Sequence, residues 1–267
     1  MATRWTAAVV RDIPLLVTPA VFDYRAAPVP VPDDIVAAHA RAWERLRRAG
    51  AWWTGAERIE IAAEVRNAFD CACCRERKAA LSPNAVTGTH HATAARLDAV
   101  AVDAVHRIVT DAPRLSQAWV DGLAAHGLTD GHYVELLGVV VTVLSVDEVH
   151  RGLGIPLAAL PAPLSGAPSG ERPSGLQAGS AWVPILPLAA AAAGPHADLY
   201  AGLPVAPNVL SAMSLVPDAV RQLQELSAVH YLPQAAFTDP HHVGRALERR
   251  QIELVAGRVS ALNECFY

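Results

Sequence analysis

The chain has 267 residues, 52% of them hydrophobic, with 22 Lys+Arg against 26 Asp+Glu and a net charge of −4. That is enough apolar material for one large core or two smaller ones. The charges are interspersed and form no basic stripe, so nucleic acid is not an expected partner. Met1 to Pro14 lacks an apolar run followed by a small-residue cleavage site, so no signal peptide is expected. The most apolar stretch, 181–194, is broken by Pro184 and Pro187 and is too short to cross a bilayer. The expectation is a soluble, cytoplasmic protein with no membrane contact.

In chain order, apolar residues at Ile35, Val36, Ala40, Trp43 and Leu46 predict a helix over 33–49, with Gly50 as its stop. Thr54 and Glu57 read as a capping box that opens a second helix through Ile59, Ala62 and Val65. The 3.6 period returns over 93–110, a shorter helix over 114–126 ends at Gly127, and Thr129 or Asp130 caps a long apolar helix over 133–153. Residues 161–180 are rich in Pro, Gly and Ser and predict a linker or a loop lying over the surface. Helical signals resume at 208–215, 218–230 and from Gly244 onward, and strand signals are scarce. The fold class expected is all-α.

Four cysteines occur, Cys71, Cys73, Cys74 and Cys265, three of them within four residues. Such clustering cannot staple a large secreted fold and points to redox chemistry or a metal. Cys71 and Cys74 form a C-x-x-C pair. Two thiols at i and i+3 of a helical turn share a face, close enough to join as a disulfide. With Asp70 as the cap, Cys71 would sit at a helix start, where free N–H groups favour the thiolate. Arg75 and Arg77 add positive charge nearby. Cys73 should face away. A plain packing role, as small buried hydrophobes, is the competing view. Zinc is another: His90-His91 follows Cys74 after fifteen residues, but no fourth ligand stands at an ordinary spacing.

A repeat crosses the Pro-rich stretch. Ile59-Glu60-Ile61 leads to Cys71, and Ile252-Glu253-Leu254 leads to Cys265, each cysteine directly after an acid. The match needs a one-residue gap and suggests two helical units of one ancestry. Asn263 reads as the cap of a further helix with Cys265 in its first turn.

The segments "CRERKAALSP", "YVELLGVV", "PNVLSAMSLVP" and "QIELVAGRVSALNECFY" resemble the alkylhydroperoxidase-related (seleno)proteins of the alkylhydroperoxidase D / carboxymuconolactone decarboxylase superfamily. The resemblance covers most of the chain. It implies a duplicated alkylhydroperoxidase D-like helical bundle: residues 1–160 as the first unit, 161–207 as a linker or surface loop, and 208–267 as the front part of a truncated second unit. The superfamily pattern is Glu, eleven residues, Cys, two residues, Cys, three residues, His. Glu253 and Cys265 match its first part, and the residue after Tyr267 would be the second cysteine, selenocysteine in many relatives. The expectation is therefore a chain read to a selenocysteine codon, with an apolar patch near Val255, Val259 and Leu262 where further helices belong.

What the resemblance implies for chemistry is peroxide reduction. The second chalcogen of the pair attacks, the first resolves the sulfenic acid into a disulfide, and a glutamate and a histidine relay protons. Carried over by position, Cys265 is the resolving thiol and Glu253 the relay acid. At the first site Cys71 and Cys74 are present, Glu60 is one residue out of register with Glu64 a possible substitute, Lys78 holds the histidine position, and His90 could approach from the next loop, though a loop histidine is more often solvated. No cofactor is implied beyond redox-active thiols. The partners implied are a small hydroperoxide, a thiol reductant or a lipoyl- or thioredoxin-like recycling protein, and a further copy of the chain. A decarboxylase-like proton-transfer enzyme and a non-catalytic helical assembly or binding protein remain the other readings.

Overall fold

The computed structural model describes residues 22–237, 239–244, 246–263 and 265. Ten α-helices and one two-stranded hairpin occur among them, so the all-α expectation holds at the level of class. Helix α1 spans Asp33–Leu46 and α2 spans Gly55–Asn67. The capping box is formed as read: Thr54 Oγ1 accepts from Glu57 N, and the Glu57 carboxylate accepts from Thr54 N at 2.8 Å. Helix α1 stops three residues earlier than predicted, and Gly50 is not its left-handed cap. A Cβ on Gly50 would lie 1.8 Å from Glu135 Oε1 and 2.4 Å from Arg58 Nη1. Gly50 is there because a buried ion pair leaves no room for a side chain.

A 3₁₀ turn, Ala68–Asp70, links α2 to α3, Ala72–Ala79. Helix α4 is Ala99–Asp111, six residues shorter at its start than the predicted 93–110. The amides of Thr93 and Ala94 bond the Glu64 carboxylate instead of joining a helix. Helix α5 is Gln117–Ala125, capped by Ser116. Gly127 then takes φ +94°, a left-handed turn that glycine adopts without strain. Helix α6 is Asp130–Gly152, with Thr129 Oγ1 accepting from His132 N. Val134, Leu136, Val139, Val140, Val143 and Val146 are each at most 1% exposed. They make α6 the central helix, packed on α2, α4 and α1. Burying each such side chain stabilises by about 1.5–3 kcal/mol, which is why α6 can be apolar nearly all round.

The Pro-rich stretch crosses the surface as extended chain, held by backbone bonds Leu164 N to Arg47 O (2.8 Å) and Gly170 N to Ala51 O (2.8 Å). Its continuation is not a spacer. Val183, Leu186, Leu199 and Tyr200 enter the same core cluster as α1, α2, α4 and α6. The short helices α7 (Leu188–Ala192) and α8 (Asn208–Ser211) follow, then α9, Pro217–His230, which lies against α6 and α1. Where one helix was predicted from Gly244 onward, strands β1 (Val243–Gly244) and β2 (Leu247–Glu248) pair first, and α10 runs over Arg249–Leu262. Ile252 alone on α10 is buried, and Leu254, Val255, Val259 and Leu262 are exposed, as the expected apolar patch requires. No helix among the described residues is long and apolar enough to cross a membrane.

A buried knot of rings lies under the start of the described chain. Phe22 and Tyr24 pack on His39 and His150, Tyr24 bonds His39 Nδ1, and His39 Nε2 meets His230 Nε2 at 2.6 Å. Burial, with neighbouring His230 and His150, pushes His39 down from 6.5 to about 3. A neutral His39 is thus favoured by the fold, and its contribution is complete above pH 6.5 and declines as pH falls toward 3. Between pH 6.5 and about 4.5 the loss should be about 2–3 kcal/mol. Denaturant titrations across that range should show it. In His39→Asn the slope against pH should be shallower, and an unchanged slope would remove His39 as its source.

Candidate active site

The interruption of helix between α2 and α3 creates the site. Cys71 has extended backbone (φ −72°, ψ 120°) and is itself the N-cap of α3, so Asp70 is not the cap that was expected. Cys74 stands three residues later in the first turn. The N-cap and third helical side chains lie on the same side of a helix start, and both sulfurs meet His90 Nδ1 there. Both are 2% exposed. Cys73, expected to face away, is also buried and packs beside Gly88 of the following loop.

Two histidines close around the pair. His90 Nδ1 lies 3.5 Å from Cys71 Sγ and 3.5 Å from Cys74 Sγ. His106 Nδ1, from α4, lies 3.2 Å from Cys74 Sγ. The rings of His90 and His106 are 4.2 Å apart. His90 is therefore half-buried against the thiols rather than solvated in its loop, and its neighbour His91 is exposed.

Each histidine is held from behind by a carboxylate. His106 Nε2 donates to Glu64 Oε2 at 3.0 Å. Glu64 is fully buried and also accepts from Asn67 Nδ2 (3.0 Å), Thr93 N (2.5 Å), Thr93 Oγ1 (2.8 Å) and Ala94 N (2.7 Å). Burial resists that charge, but the bonds from Asn67, His106 and Thr93 outweigh it and hold Glu64 at about 2. His90 Nε2 donates to Asp103 Oδ1 at 2.9 Å, and Asp103 in turn accepts from Arg107 Nε (2.7 Å) and Arg77 Nη1 (3.2 Å). Burial opposes the imidazolium of His90, yet Asp103 and the two thiols raise it to about 10. For Cys74, burial opposes the thiolate, while His106 and then His90 bring it down to about 5. Cys71 is also lowered, against burial, by His90 and by the amides of Cys74 and His91. A thiolate that accepts from two imidazole rings is the form that attacks electrophiles. A cleft of about 290 Å³ reaches Cys74 past Ala68, Phe69, Ala79 and Thr110.

Of the predicted site residues, Cys71, Cys74, Glu64 and His90 meet here. Glu60 does not. It lies one turn before Glu64 on the same side of α2, but accepts from the backbone and guanidinium of Arg96 and meets neither thiol nor histidine. Glu253 lies on α10, bonded to Tyr231 Oη (2.7 Å) and Arg249 Nε (2.6 Å). Cys265 is exposed. Asn263 caps the end of α10, with its Nδ2 on Val259 O at 3.0 Å. The helix expected after it falls on residues 264, 266 and 267, which lie outside the described residues, as does the segment before Phe22.

His106 and Asp103 are site residues that the sequence reading missed. One signal was present. His106 interrupts an apolar face made by Ala101, Val102, Val105 and Ile108, one turn after Asp103. Comparisons of the chain with models of protein families, with curated proteins and with solved structures find no match in any of the three.

Proposed function

We propose that this protein is a thiol-dependent peroxidase or disulfide oxidoreductase of the alkylhydroperoxidase kind, working through Cys71 and Cys74. One observation carries the reading: a C-x-x-C pair whose sulfurs both meet His90 Nδ1, with Cys74 also on His106 Nδ1 and Glu64 behind that ring. Cys74 is the attacking thiolate, since it has two imidazole donors and the cleft opens on it. Its sulfur attacks the outer oxygen of a hydroperoxide, the O–O bond breaks, and the leaving alkoxide takes a proton from His106 or His90. Cys74 becomes a sulfenic acid. The Cys71 thiolate then attacks Cys74 Sγ, hydroxide leaves and is protonated to water, and a disulfide forms. Glu64 and Asp103 orient the two rings and stabilise their charged forms. A dithiol reductant, lipoyl-like or thioredoxin-like, returns two electrons and two protons. The exposed apolar row on α10 supports pairing with another copy of the chain.

The test is thiol counting. One equivalent of tert-butyl hydroperoxide should consume two of the four thiols, and peptide mapping should find a Cys71–Cys74 bond. Both thiols still free after excess peroxide, in folded protein, would sink the reading.

A further inference from the structure

We infer that the reduced centre is also a tetrahedral zinc site, with Cys71 Sγ, Cys74 Sγ, His90 Nδ1 and His106 Nδ1 as its four ligands. The ligand that the chain appeared to lack is His106, which arrives from α4. The spacing is Cys71-x2-Cys74-x15-His90-x15-His106. That order resembles no single local motif, because two of the ligands come from a loop and from a separate helix.

Three features support it. First, the four donor atoms all lie within 4.8 Å of one another. Zinc bonds of about 2.3 Å to sulfur and 2.0–2.1 Å to nitrogen imply tetrahedron edges of roughly 3.3–3.8 Å. Three of the four sulfur–nitrogen separations, Cys71–His90, Cys74–His90 and Cys74–His106, are 3.5, 3.5 and 3.2 Å. Only sub-ångström shifts separate the present arrangement from that shell along these edges.

Second, both histidines turn the same nitrogen inward. Nδ1 faces the sulfurs on each ring, and Nε2 donates to a carboxylate, Asp103 for His90 and Glu64 for His106. A metal-bound imidazole typically has its other nitrogen fixed in this way, which sets the tautomer and the ring angle. Third, the donor set is two thiolates and two imidazoles with no open position, which suits zinc held as a structural or stored ion.

Zinc occupancy and disulfide formation exclude each other, since both use the same two sulfurs. Binding needs only the four ligands. Its reversal by oxidant rests on the redox function proposed above. In that reversal two metal-bound thiolates give two electrons to a hydroperoxide, the O–O bond breaks, two protons complete an alcohol and a water, one S–S bond forms, and the zinc ion leaves. The metal would thus protect the resting thiols and be released when peroxide rises.

The experiment uses the full chain, reduced and then freed of reductant and metal under anaerobic conditions. Zinc titration with a chromophoric chelator as competitor should show one ion per chain. Cobalt(II) in its place should show the intense visible bands of a tetrahedral sulfur–nitrogen site. Cys71→Ser should weaken zinc binding by at least ~100-fold, and His106→Ala should do the same. Cys73→Ser should leave it unchanged. Failure of reduced, folded wild-type chain to take up zinc at micromolar concentration would overturn the inference, as would full binding in Cys71→Ser. Diamide, which joins the thiols without peroxide, should eject the ion, and zinc retained beside a mapped Cys71–Cys74 disulfide would also overturn it. Zinc bound tightly but not released by tert-butyl hydroperoxide, with the thiols intact, would uphold the site and remove the peroxidase function.

Discussion

Cys74→Ser should lower peroxide consumption by about 10³-fold or more. Serine is close to cysteine in size, so the buried position tolerates it. Its hydroxyl cannot ionise near neutrality and gives no stable disulfide. The thiolate at Cys74, at about 5, is present at pH 7 only because His106 and His90 donate to it against the cost of burial. The resolving variant, Cys71→Ser, should behave differently: one turnover per chain, with a sulfenic acid at Cys74 trapped by dimedone and read by mass spectrometry. Glu64→Gln should fold with reduced stability, since its amide NH2 would face donors that the carboxylate accepts from, and should lose about 10²-fold in rate, because Gln at 64 no longer favours the charged form of His106, which Cys74 and Glu64 raise against burial. A Cys74→Ser protein that keeps a tenth of the wild-type rate would contradict these assignments.

Glu135→Gln should cost about 3–5 kcal/mol of folding stability, roughly 5–9 °C in melting temperature. Glu135 and Arg58 pair inside the protein with side chains 3% and 7% exposed. Glu135 Oε2 also accepts from Trp52 N at 2.6 Å, and Arg58 Nε reaches Leu46 O at 3.4 Å. One carboxylate thus ties the α1–α2 connection to the central helix. Removing its charge leaves a guanidinium buried without a counter-ion, which is the expensive case. Replacing both partners, Arg58→Met with Glu135→Leu, should cost less than the single change, because neither charge then remains. Gly50→Ala should be damaging through the same pair, since its methyl would fall 1.8 Å from Glu135 Oε1. Thermal melts of the four proteins test the set. A double variant less stable than Glu135→Gln would show that the pair itself, rather than the stranded charge, supplies the stability.

Much of the helical layout was readable because it is local. Thr54 with Glu57, Thr129 before α6 and Gly127 after α5 act within a turn of themselves, and all three perform as expected. The apolar run of α6 announced a central helix, since only full burial suits such a surface. Errors came where a distant group takes the backbone or the space. Residues 93–98 have helical character, but Glu64 captures two of their amides. Gly50 looks like a stop and serves as clearance for Glu135. The repeat between α2 and α10 is visible in residues, yet α2 buries Ile61, Ala62, Glu64 and Val65, and α10 buries only Ile252. Glu60 and Glu253 hold matching places in the repeat, yet Glu60 accepts from Arg96 and Glu253 from Tyr231 and Arg249.

By itself the sequence determined that the protein is helical, how several of its helices are capped, and that a C-x-x-C pair stands after α2. These follow from contacts three or four residues apart. Only the tertiary structure decided what surrounds that dithiol. Packing α4 across α2 and α3 places His106 between Cys74 and Glu64, and lays Asp103 behind His90. Partners 32 and 42 residues from His106 leave no periodic trace in the chain, because their meeting depends on how helices cross and not on how any one of them coils.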